Sequence, residues 1–257
     1  MNPDLQFELD PWIKWLRPAA GAKVRLLYFP AAGASAVSGL SWRQILPPYI
    51  DALGVQLPGR GERFQEPPIS DLRVIVRALV AATRPLRDRP YVLFGHSLGA
   101  LIAFELTRAL RRNSERLPIH LFAAAHRAPQ VPQTDPPVHQ LPEGDFVAEL
   151  LRLGGMAPEI LADRDLMELL LPALRADFAI HETYTYVDEP PLACPITACG
   201  GLEDAEVSFE ELAAWRQQTS SAFELRRFKG GHFFVHSEGQ ALIETINTKL
   251  PQYRHLV

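Results

Sequence analysis

Cysteine is nearly absent: the 257-residue chain holds two, Cys194 and Cys199, too few for a disulfide framework and spaced unlike a metal or redox motif. Both read as buried strand residues, and their scarcity fits a reducing compartment, so a cytoplasmic location is expected. An excess of positive charge is missing as well. The formal net charge is −4, which offers no general attraction to nucleic acid or to an anionic membrane, and neither is expected as a partner. No apolar run approaches the length of a membrane span. The first fifteen residues interleave Asp4, Glu8 and Asp10 with their apolar ones, so no secretory leader is expected. There is no internal repeat and no low-complexity tract. What the chain does have is a hydrophobic content of 47%, enough to bury a large core, and one domain over residues 1–257 is the expectation.

Short apolar runs alternate with helical patterns. Val24 to Phe29, Leu53 to Leu57, Tyr91 to Phe94, Ile119 to Ala125, Cys194 to Cys199 and Phe223 to Phe228 read as strands. Trp42 to Leu46 reads as helical. Leu72, Ile75, Val76 and Leu79 mark one face of a helix that Ser70 is placed to cap. Leu242, Ile243, Ile246 and Leu250 mark another. This alternation implies an α/β fold with a mostly parallel sheet flanked by helices. The pattern changes over about residues 129–190, where a proline-rich stretch leads into helices over Phe146 to Leu153 and Leu166 to Phe178. Pro172 is expected to kink or split the second of these. The segment reads as a helical lid inserted over the active edge of the sheet, sheltering an acyl chain or simply packing on the core.

The stretch from Tyr91 to Ala100 carries the chemistry. An apolar strand runs into Gly95-His96-Ser97-Leu98-Gly99 and then into a helix-forming segment without glycine or proline. That is the pattern of a nucleophile elbow, in which a serine stands on a sharp strand-to-helix turn at the positive end of a helix. A serine nucleophile needs a base, and the base needs an acid to orient it. Of the eight histidines, His232 alone follows a glycine pair directly after the last strand. His120 lies in a strand, His126 and His139 precede the lid helices, His181 lies within them, His236 follows His232, and His255 is in the tail. His96 adjoins the nucleophile and is placed to line the site. Asp204 is the preferred acid because it follows a strand in the chain order serine, acid, histidine; Glu203, Glu206 and Asp135 are its competitors. Residues 30–36 are small throughout. They read as a plain flexible loop or as a loop that aims backbone N–H groups at a developing oxyanion. Arg60 and Arg63 read as a solvated edge, and with Arg25 they are candidates for a basic docking patch.

Several stretches together resemble the type II thioesterases, the free-standing editing enzymes of polyketide and nonribosomal peptide synthesis: Phe29-Pro30-Ala31-Ala32-Gly33, Gln56-Leu57-Pro58-Gly59-Arg60-Gly61-Glu62-Arg63, Gly95-His96-Ser97-Leu98-Gly99, Arg127-Ala128-Pro129, Leu153-Gly154-Gly155, Leu174-Arg175-Ala176-Asp177-Phe178, Gly201 with Asp204, and Gly231-His232-Phe233-Phe234. The resemblance spans nearly the whole chain. It departs where the family usually shows Ala-Gly-Gly and this chain has Ala32-Gly33-Ala34. It implies an α/β-hydrolase fold, a triad of Ser97, His232 and Asp204, and oxyanion donors on the backbone N–H groups of Ala32 and Leu98. The substrate it implies is an acyl group on the phosphopantetheine arm of an acyl or peptidyl carrier protein domain. It implies no metal, no cofactor of the enzyme's own, and a monomer. Within enzymes, a chain-releasing fatty-acyl thioesterase or a generic carboxylester hydrolase shares the same triad. A non-catalytic carrier-binding module would give no reason to keep all three residues.

Overall fold

Strands that are apolar at almost every position are buried on both faces, as a parallel sheet covered by helices requires. In the computed structural model, which describes residues 9–253, seven strands form one sheet. They are β1 (Ile13–Arg17), β2 (Val24–Phe29), β3 (Ile50–Val55), β4 (Tyr91–His96), β5 (His120–Ala124), β6 (Ile196–Gly201) and β7 (Phe223–Phe228). The sheet order is β1-β3-β2-β4-β5-β6-β7. All neighbours pair in parallel except β1, which runs antiparallel to β3 at the edge.

Period-two alternation divides the core. Leu27, Phe29, Leu53 and Leu93 face a cluster that includes Leu79 of α1 (Leu72–Ala82) and Leu101 of α2 (Leu98–Arg112). Leu26, Tyr28, Val92 and Phe94 face the opposite cluster. There the 3₁₀ segment Ala36–Trp42 contributes Trp42, and the final helix contributes Leu242 and Ile246.

Between β5 and β6 lie three helices, α3 (Glu143–Leu153), α4 (Pro158–Ala162) and α5 (Arg164–Glu182). They have a small core of their own, built on Phe146, Leu150, Met167, Leu171 and Leu174. After β6 come α6 (Phe209–Ala213), then β7, α7 (Phe234–Ser237) and α8 (Gly239–Thr248).

The structure differs from the sequence expectation at several points. The lead holding Trp12 and Trp15 contributes β1, an edge strand whose half-buried positions carry no clean alternation. Helical character near Trp42 belongs to the preceding residues, Ala36–Trp42. The cap of α1 is Asp71, whose carboxylate accepts the Arg73 N–H at 2.8 Å, and not Ser70. Cys194 lies just before β6, which runs on through Gly200 and Gly201. Gly201 is held there by crowding, since a Cβ on it would stand 2.3 Å from the carbonyl oxygen of Gly231. Pro172 neither splits nor ends α5, which is continuous from Arg164 to Glu182. Pro172 and Glu168 both face solvent, so water can take up the Glu168 carbonyl that loses its helical N–H partner.

Candidate active site

Strand β4 delivers Ser97 onto a turn that only a tightly packed backbone can hold. Ser97 has φ 52° and ψ −122°, a region a side-chain-bearing residue enters at a cost of about 1–3 kcal/mol. Its N–H is tied to the Ala124 carbonyl at 2.8 Å. The helix that follows crosses the neighbouring loop so closely that a Cβ on Gly99 would stand 2.1 Å from the Phe29 carbonyl oxygen. A Cβ on Gly95 would stand 2.3 Å from the carbonyl oxygen of Gly99. This crowding is why both positions are glycine.

His232 follows β7 and brings its ring to the serine. Its Nε2 lies 3.0 Å from Ser97 Oγ, and its Nδ1 lies 3.1 Å from Asp204 Oδ2 and 3.2 Å from Oδ1. The Asp204 side chain is fully buried. Burial opposes its ionisation, but the hydrogen bond and charge of His232, with the backbone N–H groups of Glu206 and Val207, outweigh that and hold its carboxyl below the ordinary value. A carboxylate in this position fixes Nδ1 as the protonated nitrogen and leaves Nε2 to accept the serine proton. The competing acids are engaged elsewhere: Glu206 pairs with Arg152, Asp135 with Arg127, and Glu203 faces solvent.

The other histidines also have defined places. His96 is buried, and its Nε2–H donates to the His232 carbonyl at 2.9 Å, supporting the loop that carries the base. Burial, reinforced by the neighbouring His232, pushes His96 down to about 3, so it stays neutral. His236 lies in α7 and lines the same cavity as His232. His120 bonds to Thr197 within the sheet, and His139 pairs with Glu182. His126 and His181 lie against each other. His255 lies outside the described residues.

Leu98, the first residue of α2, and Ala32, in the loop after β2, line the cavity that holds Ser97 and His232. Among the described residues neither backbone N–H has a protein acceptor. Gly33, next to Ala32, has φ 73° and donates its N–H to Asp177 Oδ2 at 2.7 Å, which fixes the loop's conformation. The cavity has a volume of about 1020 Å³ and runs beneath α3 and α5. Its walls include Leu150, Leu153, Met156, Leu174 and Phe178, so the helices inserted between β5 and β6 form one side of it. Among the described residues no cluster of histidine, cysteine or carboxylate side chains is arranged to hold a metal ion.

Arg25, Arg60 and Arg63 are not on the surface. Arg25 is buried with Asp51 and Asp88 about it. Arg63 bonds to Glu66 and to the Gln56 carbonyl, with its guanidinium 4.4 Å from the Trp12 ring centroid. Arg60 forms a bidentate ion pair with Asp177 of α5. All three are consumed inside the fold, because a buried cation is tolerated only when paired, and they offer no docking patch. The pairing of Arg60 with Asp177, and through it with Gly33, was not derivable from either motif alone.

The comparisons with known proteins agree with this geometry. The "Thioesterase domain" family matches residues 24–250. The chain is 38% identical to the thioesterase PikA5 of Streptomyces venezuelae over 93% of this chain and 85% of that one. It is 40% identical, over 94% of this chain and 93% of the other, to a Brevibacillus parabrevis protein named linear gramicidin dehydrogenase LgrE. The loop after β2 in this chain holds one glycine, Gly33, where a dinucleotide-binding turn uses three. The type II thioesterase BorB of the borrelidin biosynthetic cluster superposes with a TM-score of 0.87, at 37% identity, over 95% of this chain and all of BorB. With its mostly parallel sheet, its elbow serine and these relatives, the chain belongs to the thioesterase family of α/β-hydrolases, among the type II thioesterases of polyketide and nonribosomal peptide biosynthesis.

Proposed function

We propose that this protein hydrolyses acyl thioesters held on the phosphopantetheine arms of acyl or peptidyl carrier domains, clearing misprimed or stalled groups from a polyketide or nonribosomal peptide synthase. The observation that carries the reading is the hydrogen-bonded chain Asp204–His232–Ser97 opening into a cavity of about 1020 Å³ whose wall beneath α3 and α5 includes Leu150, Leu153, Leu174 and Phe178.

Ser97 Oγ attacks the thioester carbonyl while His232 Nε2 takes its proton. The oxyanion that forms is met by the N–H groups of Ala32 and Leu98, the latter at the positive end of α2. As the intermediate collapses, the C–S bond breaks and His232 returns the proton to the departing pantetheine sulfur. Water then enters, gives a proton to His232 and attacks the Ser97 ester; the acid leaves and Oγ regains its proton. Asp204 holds the imidazole in the tautomer that each transfer needs. No metal or cofactor of the enzyme's own enters these steps, since the pantetheine arrives with the substrate. The helices α3–α5 act as a lid that shelters the acyl-enzyme from bulk water. The protein is expected to work as a monomer in the cytoplasm, where Cys194 and Cys199 stay as buried thiols pushed up to about 12 by burial.

Comparing kcat/KM for an acyl carrier thioester with that for the oxygen ester of the same acyl group tests the reading. Preference for the carrier thioester is expected. A preference for the small free ester contradicts it and favours a generic carboxylester hydrolase.

A further inference from the structure

His126 and His181 touch in the wall of the cavity: His126 follows β5, and His181 lies on the face of α5 that also presents Leu174 and Phe178. The mechanism above uses neither. Their protonation follows from one bond. His126 Nδ1 lies 2.6 Å from the Arg127 carbonyl oxygen, and a carbonyl only accepts, so Nδ1 carries the hydrogen. In a neutral ring Nε2 of His126 is then an acceptor. It faces Nδ1 of His181 at 3.3 Å, so His181 Nδ1 donates. Nε2 of His181 is left as a lone-pair acceptor with no partner among the described residues. Both rings are neutral at pH 7: burial drives His126 well below its ordinary value and, with the charge of Arg127, brings His181 down to about 4.

The charged groups nearby are already committed. Asp177 is taken by Arg60 and Gly33, Glu182 by His139, and Arg127 by Asp135 and Glu211. Gln133 lines the same cavity with its Oε1 buried and without a partner among the described residues. Among the polar groups lining the cavity, the buried Gln133 Oε1 and His96 Nδ1 thus have no partner among the described residues, and His181 Nε2, which is not closed off from the cavity, offers a third acceptor there; a ligand group that supplies a donor to such a position is favoured.

We infer that His181, held in its tautomer by His126, is the acceptor of a polar subsite in the acyl cavity and selects acyl chains carrying a hydrogen-bond donor, a hydroxyl or an amide N–H, over plain alkyl chains of equal length. The inference rests on the reading of this cavity as the acyl site.

The test compares hexanoyl-carrier thioester with its 2-, 3- and 6-hydroxy forms and its 2- and 3-formylamino forms, in wild type, His181→Phe and His181→Gln. The quantity is the ratio of kcat/KM, substituted over plain, within each protein. At least one position is expected to be favoured about tenfold by wild type. The ratio should fall to near one in His181→Phe and persist in part in His181→Gln, whose amide oxygen still accepts. The hydroxyl and amide arms identify the donor. No preference at any position, or one that survives His181→Phe, overturns the inference. Nitrogen-15 spectra of wild type give a second readout that needs no turnover. Both rings should appear as Nδ1–H tautomers, and the His181 Nε2 signal should shift with a substituted hexanoyl-pantetheine and not with hexanoyl-pantetheine. A His181 ring protonated on Nε2 overturns the subsite even if hydrolysis is normal. If no thioester is hydrolysed, the reading of the activity fails, and these spectra decide the subsite alone.

Discussion

Asp177 of the inserted helix α5 holds Arg60, 117 residues away in sequence, through two hydrogen bonds and offers the same carboxylate to the Gly33 N–H. One buried side chain therefore ties three segments together: the lid, the Pro58–Arg63 loop and the loop that carries Ala32. Asp177→Asn leaves Arg60 buried without its counter-charge, and a loss of about 3–5 kcal/mol of stability is expected. Replacing both partners, Arg60→Met with Asp177→Leu, should recover most of that stability, because apolar groups of similar size need no partner. Turnover should stay depressed by about tenfold or more, since Gly33 no longer has an acceptor to hold the oxyanion loop. Denaturation midpoints and kcat for the two variants check this; a double variant with full activity contradicts the positioning role.

The backbone at Ser97 stores strain, and Ser97→Gly releases it. The variant should unfold at higher denaturant, by about 1 kcal/mol after the extra freedom of glycine in the unfolded chain is allowed for, while hydrolysis falls by about a thousandfold or more. A variant less stable than wild type would show that the turn is unstrained.

Asp204 and Glu203 are adjacent in sequence but differ in environment. Asp204→Asn should lower kcat by about a thousandfold or more by removing the group that fixes the His232 tautomer, while Glu203→Gln, exposed to solvent, should leave kcat within about twofold. The reverse ranking moves the acid to Glu203.

Three buried histidines and the half-buried His181 make stability fall in mild acid. His96 is pushed down to about 3, His120 and His181 to about 4, and His126 well below its ordinary 6.5, chiefly by burial. Below about pH 6.5 the unfolded chain binds protons that the folded one refuses. Stability is therefore complete above that pH and is lost as the pH falls toward 4, at up to about 1.4 kcal/mol per histidine per pH unit. Urea midpoints at pH 7.5, 6.5, 5.5 and 4.5 should slip a little between the first two, where the unfolded histidines begin to take up protons, and fall steeply after. A flat profile down to pH 4.5 contradicts the buried neutral state.

The elbow was legible because its causes are local: Gly95 and Gly99 flank the serine within one turn, and the strand before it is apolar throughout. Asp204 and His232 were found by chain order and by their place after strands. What stayed hidden depends on partners distant in sequence. Arg60 and Asp177 each sat in a recognisable motif, yet nothing in either says that they meet. Arg25 and Arg63 looked like surface cations until their carboxylate and aromatic partners were placed around them. The edge strand β1 has too little alternation to stand out from the lead, and Pro172, expected to kink or split its helix, does not split it because it lies on the solvent-facing side. The His126–His181 contact joins the loop after β5 to the lid across 55 residues, beyond the reach of any local pattern.

Intact mass spectrometry of an acetyl-loaded carrier protein, incubated with wild type and in parallel with Ser97→Ala, tests the central claim most directly. Loss of the acetyl mass from the pantetheine arm with wild type and its survival with Ser97→Ala is the predicted result. Loss of the acetyl group at the same rate with both proteins would contradict the assignment of Ser97, and survival of acetyl and longer acyl groups with wild type would contradict thioester hydrolysis on the carrier.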